Sequence, residues 1–171
     1  MDLYSFVRDV PDFPKPGIVF KDITPLLAHG DALRTTIERL AARVADRQVD
    51  RVVGIESRGF LFGVPLALHL GVGFTPVRKP NKLPWKTHAV EYDLEYGRDT
   101  LEMHEDGIER GQRVLIVDDL LATGGTAKAA TVLTQGLGAH VEALLFVVEL
   151  SFLKGREKLE GFDVESLIHY E

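Results

Sequence analysis

One short region of the sequence combines residue types that suit phosphate binding. Residues 114–117 are all apolar, Asp118 and Asp119 follow them, and a turn rich in glycine and threonine comes next. Glycines allow successive backbone N–H groups to turn toward one point, and a helix that begins there adds partial positive charge. Such a turn can hold a phosphate monoester without any lysine. Its candidate binding residues are Ala122, Thr123, Gly124, Gly125 and Thr126.

The two carboxylates suit a different part of a ligand. Beside a phosphate they would repel it, whereas ionised carboxylates accept hydrogen bonds from the vicinal hydroxyls of a sugar. Adjacent side chains of a strand point to opposite faces, so both acids reach one ribose only if the chain bends at Asp118–Asp119. We therefore expect a loop over 118–125 and a ribose 5-phosphate site. The alternative is an ordinary β–turn–α connection with an aspartate near the helix start.

The surrounding pattern predicts the elements that position this region. Continuous apolar stretches predict buried strands at 52–55, 74–77, 114–117 and 141–148. Apolar residues at helical spacing predict helices at 33–44, with Asp31 as the cap, and at 60–70 and 126–137. Buried strands that alternate with helices are typical of an α/β fold, here a mainly parallel sheet flanked by helices. Ligands of such sheets bind at the carboxyl ends of the strands.

Two further segments depart from this pattern. Residues 90–96 alternate between apolar and acidic side chains, Gly97 follows, and Leu101 and Met103 continue the alternation. This predicts an antiparallel β-hairpin that projects from the sheet, within a lid insertion at about 79–104. The proline-rich residues 11–17 predict a stiff, irregular cover. We expect a single domain over 1–171 in which residues 1–30 form a small N-terminal hood.

Composition excludes several classes of protein. Hydrophobic residues make up 45% and charged residues 27% of the 171, which is typical of a globular chain and not of a disordered one. The net charge of −6 disfavours nucleic-acid binding by the whole surface. The absence of cysteine excludes disulfides, cysteine-ligated metals and thiol nucleophiles, and it fits a reducing, cytoplasmic compartment.

The uncharged stretch 59–77 contains four glycines, two prolines and a histidine, so we interpret it as a buried helix and strand rather than a membrane span. We expect no signal peptide at the N-terminus, because a basic segment and a long apolar stretch are both lacking there.

The thirteen residues from Val114 to Thr126 resemble the phosphoribosyl-pyrophosphate (PRPP) motif of the type I phosphoribosyltransferases. Other segments are similar to the adenine-specific members of that family, namely 11–22, 57–63, 78–84, 92–97, 153–159 and 166–171. The resemblance therefore covers nearly the whole chain. It implies the fold of that family, with a parallel sheet, flanking helices, a lid and a hood. It also implies that adenine and PRPP react to give AMP and pyrophosphate, with Mg²⁺.

Pyrophosphate is a highly charged leaving group, and the sequence offers cations for it. Arg58 follows the predicted strand at 52–55. The next predicted strand is followed by Arg78, Lys79, Lys82 and Lys86. We expect Arg58, Arg78 and Lys82 to contact PRPP, since arginine can bind phosphate oxygens bidentately; the alternative is a solvated basic loop. Mg²⁺ would bridge pyrophosphate and ribose oxygens and needs few protein ligands, so no metal-binding residue is predicted.

The resemblance also implies where adenine binds. In the family the hood segment holds the base, which assigns stacking to Phe20 and recognition of the base edge to main-chain groups of Val19 and Lys21. An aromatic side chain can stack on the face of a purine. On the residues alone, Phe20 suits the hydrophobic core equally well.

The resemblance assigns the acid/base role to the lid. In 6-oxopurine members of the family, a carboxylate in the phosphate loop serves the purine N7; here Ala122 occupies that position and cannot exchange a proton. The candidate is therefore Glu95, beside Tyr96, which the resemblance places among the PRPP- and AMP-binding residues. Desolvation against the base would raise the pKa of Glu95 toward the working range. On the residues alone, Glu95 is the exposed half of an alternating strand.

Two other functions remain open at this point. A PRPP-binding regulatory protein without catalysis would keep the fold, but it would need a basic surface or an added nucleic-acid module, and neither is visible in the sequence. A salvage enzyme for 6-oxopurines is disfavoured by Ala122. The expected partners are adenine and PRPP, with a second copy of the chain in a homodimer; we expect no nucleic acid and no membrane.

Overall fold

The computed structural model describes residues 1–93 and 97–171. The strands are β1 (Arg8–Pro11), β2 (Val19–Asp22), β3 (Arg51–Ile55), β4 (Gly73–Val77), β5 (Thr87–Asp93), β6 (Arg98–His104), β7 (Arg113–Leu121), β8 (His140–Leu150) and β9 (Val164–Tyr170). The α-helices are α1 (Thr24–Ala28), α2 (Gly30–Ala42), α3 (Gly59–Leu70) and α4 (Gly125–Gly136). Short 3-10 helices lie at Tyr4–Phe6, Ser151–Leu153 and Gly155–Leu159.

Five strands form a parallel sheet in the order β4-β3-β7-β8-β9. Alternate residues of β7 enter two different cores because successive strand side chains point to opposite faces. Leu115 and Val117 pack with α2 and α3, whereas Val114 and Ile116 pack with α4. Both faces are covered, which explains why the central strands are continuously apolar. The predicted α/β fold class is confirmed.

Two small antiparallel sheets stand apart from the main sheet. Strands β1 and β2 pair with Val10 opposite Phe20, and β5 and β6 pair with Val90 opposite Leu101. The hairpin of β5 and β6 agrees with the period-two pattern, and Leu101 and Met103 are fully buried on the α4 side of the sheet. The expected roles of Glu95 and Tyr96 fall on residues 94–96, which lie outside the described part of the chain.

The structure corrects two local predictions. The cap of α2 is His29, whose ring nitrogen accepts a hydrogen bond from the backbone N–H of Ala32 at 3.3 Å. Asp31 lies inside the first turn instead and pairs with Arg34 at 2.9 Å, a position where an acid still favours the helix dipole.

The second correction concerns the strand that carries the acids. The predicted loop over 118–125 is too long, because β7 continues to Leu121, which is paired with Glu149 of β8. The long partner strand β8 extends the ladder past both aspartates, a non-local effect that the local pattern does not contain. Within the described residues, no helix is long and apolar enough to cross a membrane.

Candidate functional site

A cavity of about 400 Å³ lies at the carboxyl ends of β3 and β7. The site residues predicted from the sequence that line it are Arg58, Asp118, Asp119, Ala122, Thr123, Gly124, Gly125 and Thr126. Parallel strands bring their carboxyl ends to one edge of the sheet, so residues more than sixty positions apart in sequence meet there. The cavity also contacts Glu56, Ser57 and Lys79.

Close contacts between backbone atoms determine the shape of the turn between β7 and α4. Gly124 precedes α4 with a φ of +79°, and a Cβ there would lie closer than 3.0 Å to the carbonyl oxygen of Gly155. A Cβ on Gly155 would in turn meet the carbonyl oxygen of Ala122 closer than 3.0 Å. Two backbone segments therefore touch where only glycine fits. Sequence reasoning assigned no role to Gly155, although it belongs to a segment that carries the family resemblance.

Gly125 is less restricted than Gly124. A Cβ on Gly125 would have the carbonyl oxygen of Asp93 as its nearest neighbour at 3.5 Å, an ordinary contact distance. The backbone of Gly125 begins α4, where free N–H groups and the helix dipole favour an anion. This end of α4 therefore offers donors and space together.

The two aspartates sit in different electrostatic surroundings. Asp119 is nearly buried and accepts a hydrogen bond from Nε of Arg58. Asp118 accepts one from the backbone N–H of Asp119 at 2.8 Å. Burial, reinforced by the charge of Asp119, raises the pKa of Asp118 well above its usual 3.8, and the charge of Arg58 opposes this shift. Although burial alone would lower the pKa of Arg58, its bond to Asp119 raises it.

The close approach of α3 to β7 brings Arg58 to these acids. Gly59 begins α3, and a Cβ on it would lie 2.8 Å from the carbonyl oxygen of Val117 and 3.0 Å from Oδ1 of Asp118. The glycine thus lets the helix start against the end of the neighbouring strand. Arg58, one residue earlier, is held beside Asp119 as a consequence.

A second charged group is organised by Glu56, whose side chain is only 8% exposed. The Nε of Arg78 and the backbone N–H of Lys79 donate to its Oε2 at 2.9 Å and 3.0 Å, and Lys82 donates to its Oε1. Burial alone would raise the pKa of Glu56, but these hydrogen bonds lower it. The structure thus joins Arg78 and Lys82 to a residue that lines the cavity. Sequence reasoning missed Glu56; its signal is a carboxylate directly after a buried strand and before Ser57-Arg58.

A polar chain links the base of the hairpin to the turn. The Nζ of Lys79 donates to the hydroxyl oxygen of Tyr92 at 3.0 Å and also to Asp99. The Tyr92 hydroxyl lies 3.4 Å from Oγ1 of Thr126. The predicted phosphate-binding threonine therefore already has a hydroxyl neighbour on β5, a contact that the sequence did not indicate.

The expected base-binding residues lie on and around a second cavity of about 270 Å³, formed by β1 and β2. Phe20 lines it, packs edge-on against Phe13 with ring centroids 5.2 Å apart, and lies 5.9 Å from the guanidinium of Arg58. Val19 is 48% exposed. The side chain of Lys21 instead bonds Asp9 at 2.6 Å and covers the ring of Tyr170. Only the main chain of Lys21 remains a candidate for contact with a base.

No group of three or more His, Asp or Glu side chains within residues 1–93 and 97–171 has the arrangement needed to hold a metal ion.

The chain is similar to known proteins over its whole length. The family model described as "Phosphoribosyl transferase domain" matches residues 22–158. An adenine phosphoribosyltransferase of Carboxydothermus hydrogenoformans is 58% identical over 99% of this chain and 100% of its own. The crystal structure of the enzyme of that name from Thermoanaerobacter pseudethanolicus has a TM-score of 0.96, 54% identity and 98% coverage of both chains. That from Saccharomyces cerevisiae, complexed with an imino-altritol bisphosphate and adenine, has a TM-score of 0.91 and 43% identity over 96% of both chains. The chain therefore belongs to the adenine phosphoribosyltransferases within the phosphoribosyltransferase family.

Proposed function

We propose that this chain transfers the 5-phosphoribosyl group of PRPP to N9 of adenine, which gives AMP and pyrophosphate in purine salvage. The observation that carries the proposal is the cavity in which a turn restricted to glycine at Gly124 adjoins Asp118 and Asp119. A phosphate cradle beside a pair of acids matches a ribose 5-phosphate. The yeast relative, whose structure holds adenine, supports the choice of base.

Each end of the ribose 5-phosphate would meet different chemistry. Backbone N–H groups of 123–126, with the Thr123 and Thr126 hydroxyls, would donate to the 5′-phosphate. Asp118 and Asp119 would accept hydrogen bonds from the ribose hydroxyls. The raised pKa of Asp118 is typical of a functional site, because burial beside a second acid disfavours the charge when no ligand is bound.

The pyrophosphate end would lie toward the cations. Arg58 lines the cavity, and Glu56 holds Arg78 and Lys82 in place before any ligand arrives. Preorganised cations stabilise charge that develops on a leaving group without reorganising during the reaction. Mg²⁺ prefers oxygen ligands and a hydrated state, so the donor set of Asp118 and Asp119 fits an ion that arrives on PRPP. Such an ion would offset the charge of the pyrophosphate.

Adenine would lie between the hood and the cavity. Phe20 offers a ring face, and the main chain of Val19 and Lys21 offers alternating N–H and C=O groups for the base edge. Within the described residues β2 pairs only with β1, so its other edge has no strand partner. The backbone groups of that edge can therefore form hydrogen bonds with a flat, polar ligand.

The displacement at C1 would proceed through an oxocarbenium-like transition state, with adenine N9 attacking opposite the departing pyrophosphate. Glu95 would exchange the proton at the purine imidazole, and closure of the lid, which also carries Tyr96, would exclude water. Replacement Glu95→Gln should reduce kcat more than it changes KM for PRPP. Steady-state kinetics with both substrates varied measures this, and a near-normal kcat would remove Glu95 from the reaction.

The proposed activity is tested by a base screen. Purified protein with PRPP and Mg²⁺ should release pyrophosphate with adenine, and much more slowly with hypoxanthine, guanine or uracil. Comparable rates with hypoxanthine would contradict the assignment of the base. A protein that binds PRPP but releases no pyrophosphate with any base would be the regulatory alternative.

The proposal also covers the oligomeric state and the cellular location of the protein. We expect a homodimer, which sedimentation at several protein concentrations would detect, and a cytoplasmic location. A protein that sediments as a monomer at micromolar concentration would contradict the first.

A further inference from the structure

An ion pair between the buried Glu149 and the half-exposed Arg156 lies behind the phosphate-binding turn, outside the cavity itself. Glu149 of β8 is 4% exposed. The guanidinium of Arg156 binds it through two parallel hydrogen bonds, Nε to Oε1 at 2.7 Å and Nη2 to Oε2 at 2.8 Å. Ser166 donates to Oε2 at 2.6 Å, and Nη1 of Arg156 donates to the carbonyl oxygen of Val164 at 2.7 Å. A bidentate pair of this kind fixes both orientation and distance.

Both ends of this ion pair connect to the turn. Glu149 is paired in the sheet with Leu121, the last residue of β7 before the turn. Arg156 follows Gly155, the residue whose backbone packs against Ala122 and Gly124. The ion pair therefore completes a closed series of contacts, which runs from the end of β7 to β8, from β8 to the Gly155–Leu159 helix, and from that helix back to the turn.

The same short helix packs behind the turn and reaches the start of α4. A Cβ on Gly125 would lie 3.9 Å from Nζ of Lys158, so the helix also brings an ammonium group near the start of α4. A shift of Gly155 would therefore move the Lys158 ammonium and the carbonyl contact with Gly124 together. Displacements of about 1 Å in a binding site can reduce function about a hundredfold.

We propose that Arg156 is a positioning residue for phosphate binding: its clamp on Glu149 holds Gly155 against the Ala122–Gly124 turn. The inference rests on the proposed function in one respect only, that this turn binds the 5′-phosphate. Arg156 itself touches no substrate in this account. Removal of the clamp should therefore weaken binding of every ligand that carries a 5′-phosphate and leave the affinity for free adenine unchanged.

A second bidentate pair in the molecule provides the matched control. Arg113 binds Asp50 with Nε to Oδ2 at 2.9 Å and Nη2 to Oδ1 at 2.8 Å. This pair lies at the amino end of β7, the opposite end from the turn. The variants Arg156→Gln and Arg113→Gln thus each break one bidentate arginine–carboxylate pair, the first beside the turn and the second at the far end of β7.

The experiment measures binding of ribose 5-phosphate by calorimetry, together with KM for PRPP and for adenine and the melting temperature of each variant. We expect Arg156→Gln to weaken ribose 5-phosphate binding and raise KM for PRPP about tenfold, with KM for adenine unchanged. Arg113→Gln should lower the melting temperature and leave ribose 5-phosphate binding within about twofold. Arg156→Lys keeps the charge without the fork and should fall between wild type and Arg156→Gln.

Two results would overturn the inference. The first is a loss of ribose 5-phosphate binding in Arg113→Gln equal to that in Arg156→Gln, since both would then report general destabilisation. The second is wild-type binding in a folded Arg156→Gln. If Arg156→Gln does not fold, Arg156→Lys and Ser166→Ala decide on the same two criteria. A wild-type protein that binds ribose 5-phosphate but does not use adenine would refute the proposed reaction and leave this test intact.

Discussion

The two ends of β7 place carboxylates in opposite electrostatic surroundings. At the amino end, the fork of Arg113 satisfies Asp50, and its hydrogen bonds lower the pKa of Asp50 to about 2. At the carboxyl end, Asp118 and Asp119 are neighbours, and burial with mutual repulsion raises the pKa of Asp118. The first arrangement stabilises the fold at neutral pH, whereas the second opposes it. Unfavourable charge at a strand end that lines a cavity indicates a site built for a ligand.

The largest expected effect comes from the turn at the carboxyl end. Gly124→Ala places a Cβ closer than 3.0 Å to the carbonyl oxygen of Gly155 and forces a side chain onto a φ of +79°. We expect activity to fall by about a hundredfold or more, because the turn must move. Pyrophosphate release with saturating adenine measures this.

Gly125→Ala is the control for that variant, since its Cβ has 3.5 Å to the nearest atom. It should lose much less activity than Gly124→Ala. Equal losses in the two variants would mean that Gly155 does not constrain the turn.

The next largest effect contrasts one acid from each end. Asp119→Asn removes the charge that binds Arg58 and that we propose accepts hydrogen bonds from the ribose, so we expect KM for PRPP to rise about tenfold or more. Asp50→Asn weakens the pair with Arg113 and should leave KM for PRPP unchanged while lowering the melting temperature. Initial rates at varied PRPP test both. A similar change in KM for PRPP in the two variants would contradict the claim that only the carboxyl end of β7 binds PRPP.

A smaller effect concerns the pH dependence of stability without ligand. A carboxyl whose pKa is raised on folding destabilises the protein as pH increases above its unfolded value, 3.8 for Asp118. Asp118→Asn should therefore raise the melting temperature at pH 7, and the gain should vanish when pH is lowered below that value. Asp50 has the opposite sign: its contribution is present above 3.8 and is lost as pH falls toward about 2. Melting temperatures from pH 2 to pH 8 measure both, and a gain for Asp118→Asn that persists at low pH would exclude titration as its cause.

The smallest effect sharpens the contrast within the carboxyl end itself. Tyr92→Phe removes the hydroxyl that contacts Lys79 and Thr126 and keeps the ring. One hydrogen bond of this kind is worth about 1 kcal/mol, so a change of about fivefold in KM for PRPP is expected. Thr126→Ser, which retains the hydroxyl, should stay near wild type. A Tyr92→Phe variant with normal KM for PRPP would confine the role of Tyr92 to the hairpin.

Most of the sheet was predictable because its signal is local. Four consecutive apolar residues before Asp118 predict a buried strand whatever the rest of the chain does, and the alternation around Gly97 predicts the hairpin. The end of β7 was not predictable in the same way. Its last residues, up to Leu121, are strand because β8 extends beside them, which is a long-range pairing.

The residues of the candidate site also differ in whether their role has a local sequence signal or depends on tertiary contacts. The turn at 122–126 carries its own signal in glycine and threonine, so it could be read from the sequence. Glu56 carries only its position directly after a buried strand as a local signal; its pairing with Arg78 and Lys82, which lie 22 and 26 residues away, is not contained in that signal. Gly155 was missed for a related reason: its glycine is required by a close approach to Ala122 that only the folded chain creates. Roles that depend on tertiary contact leave no periodic trace.

A crystal structure with bound AMP would show whether the 122–126 turn and the two aspartates together hold a ribose 5-phosphate. We expect backbone N–H groups of 123–126 to donate to the phosphate and Asp118 and Asp119 to accept hydrogen bonds from the ribose hydroxyls. A phosphate bound instead against Arg78 and Lys82, with the ribose away from both aspartates, would contradict it.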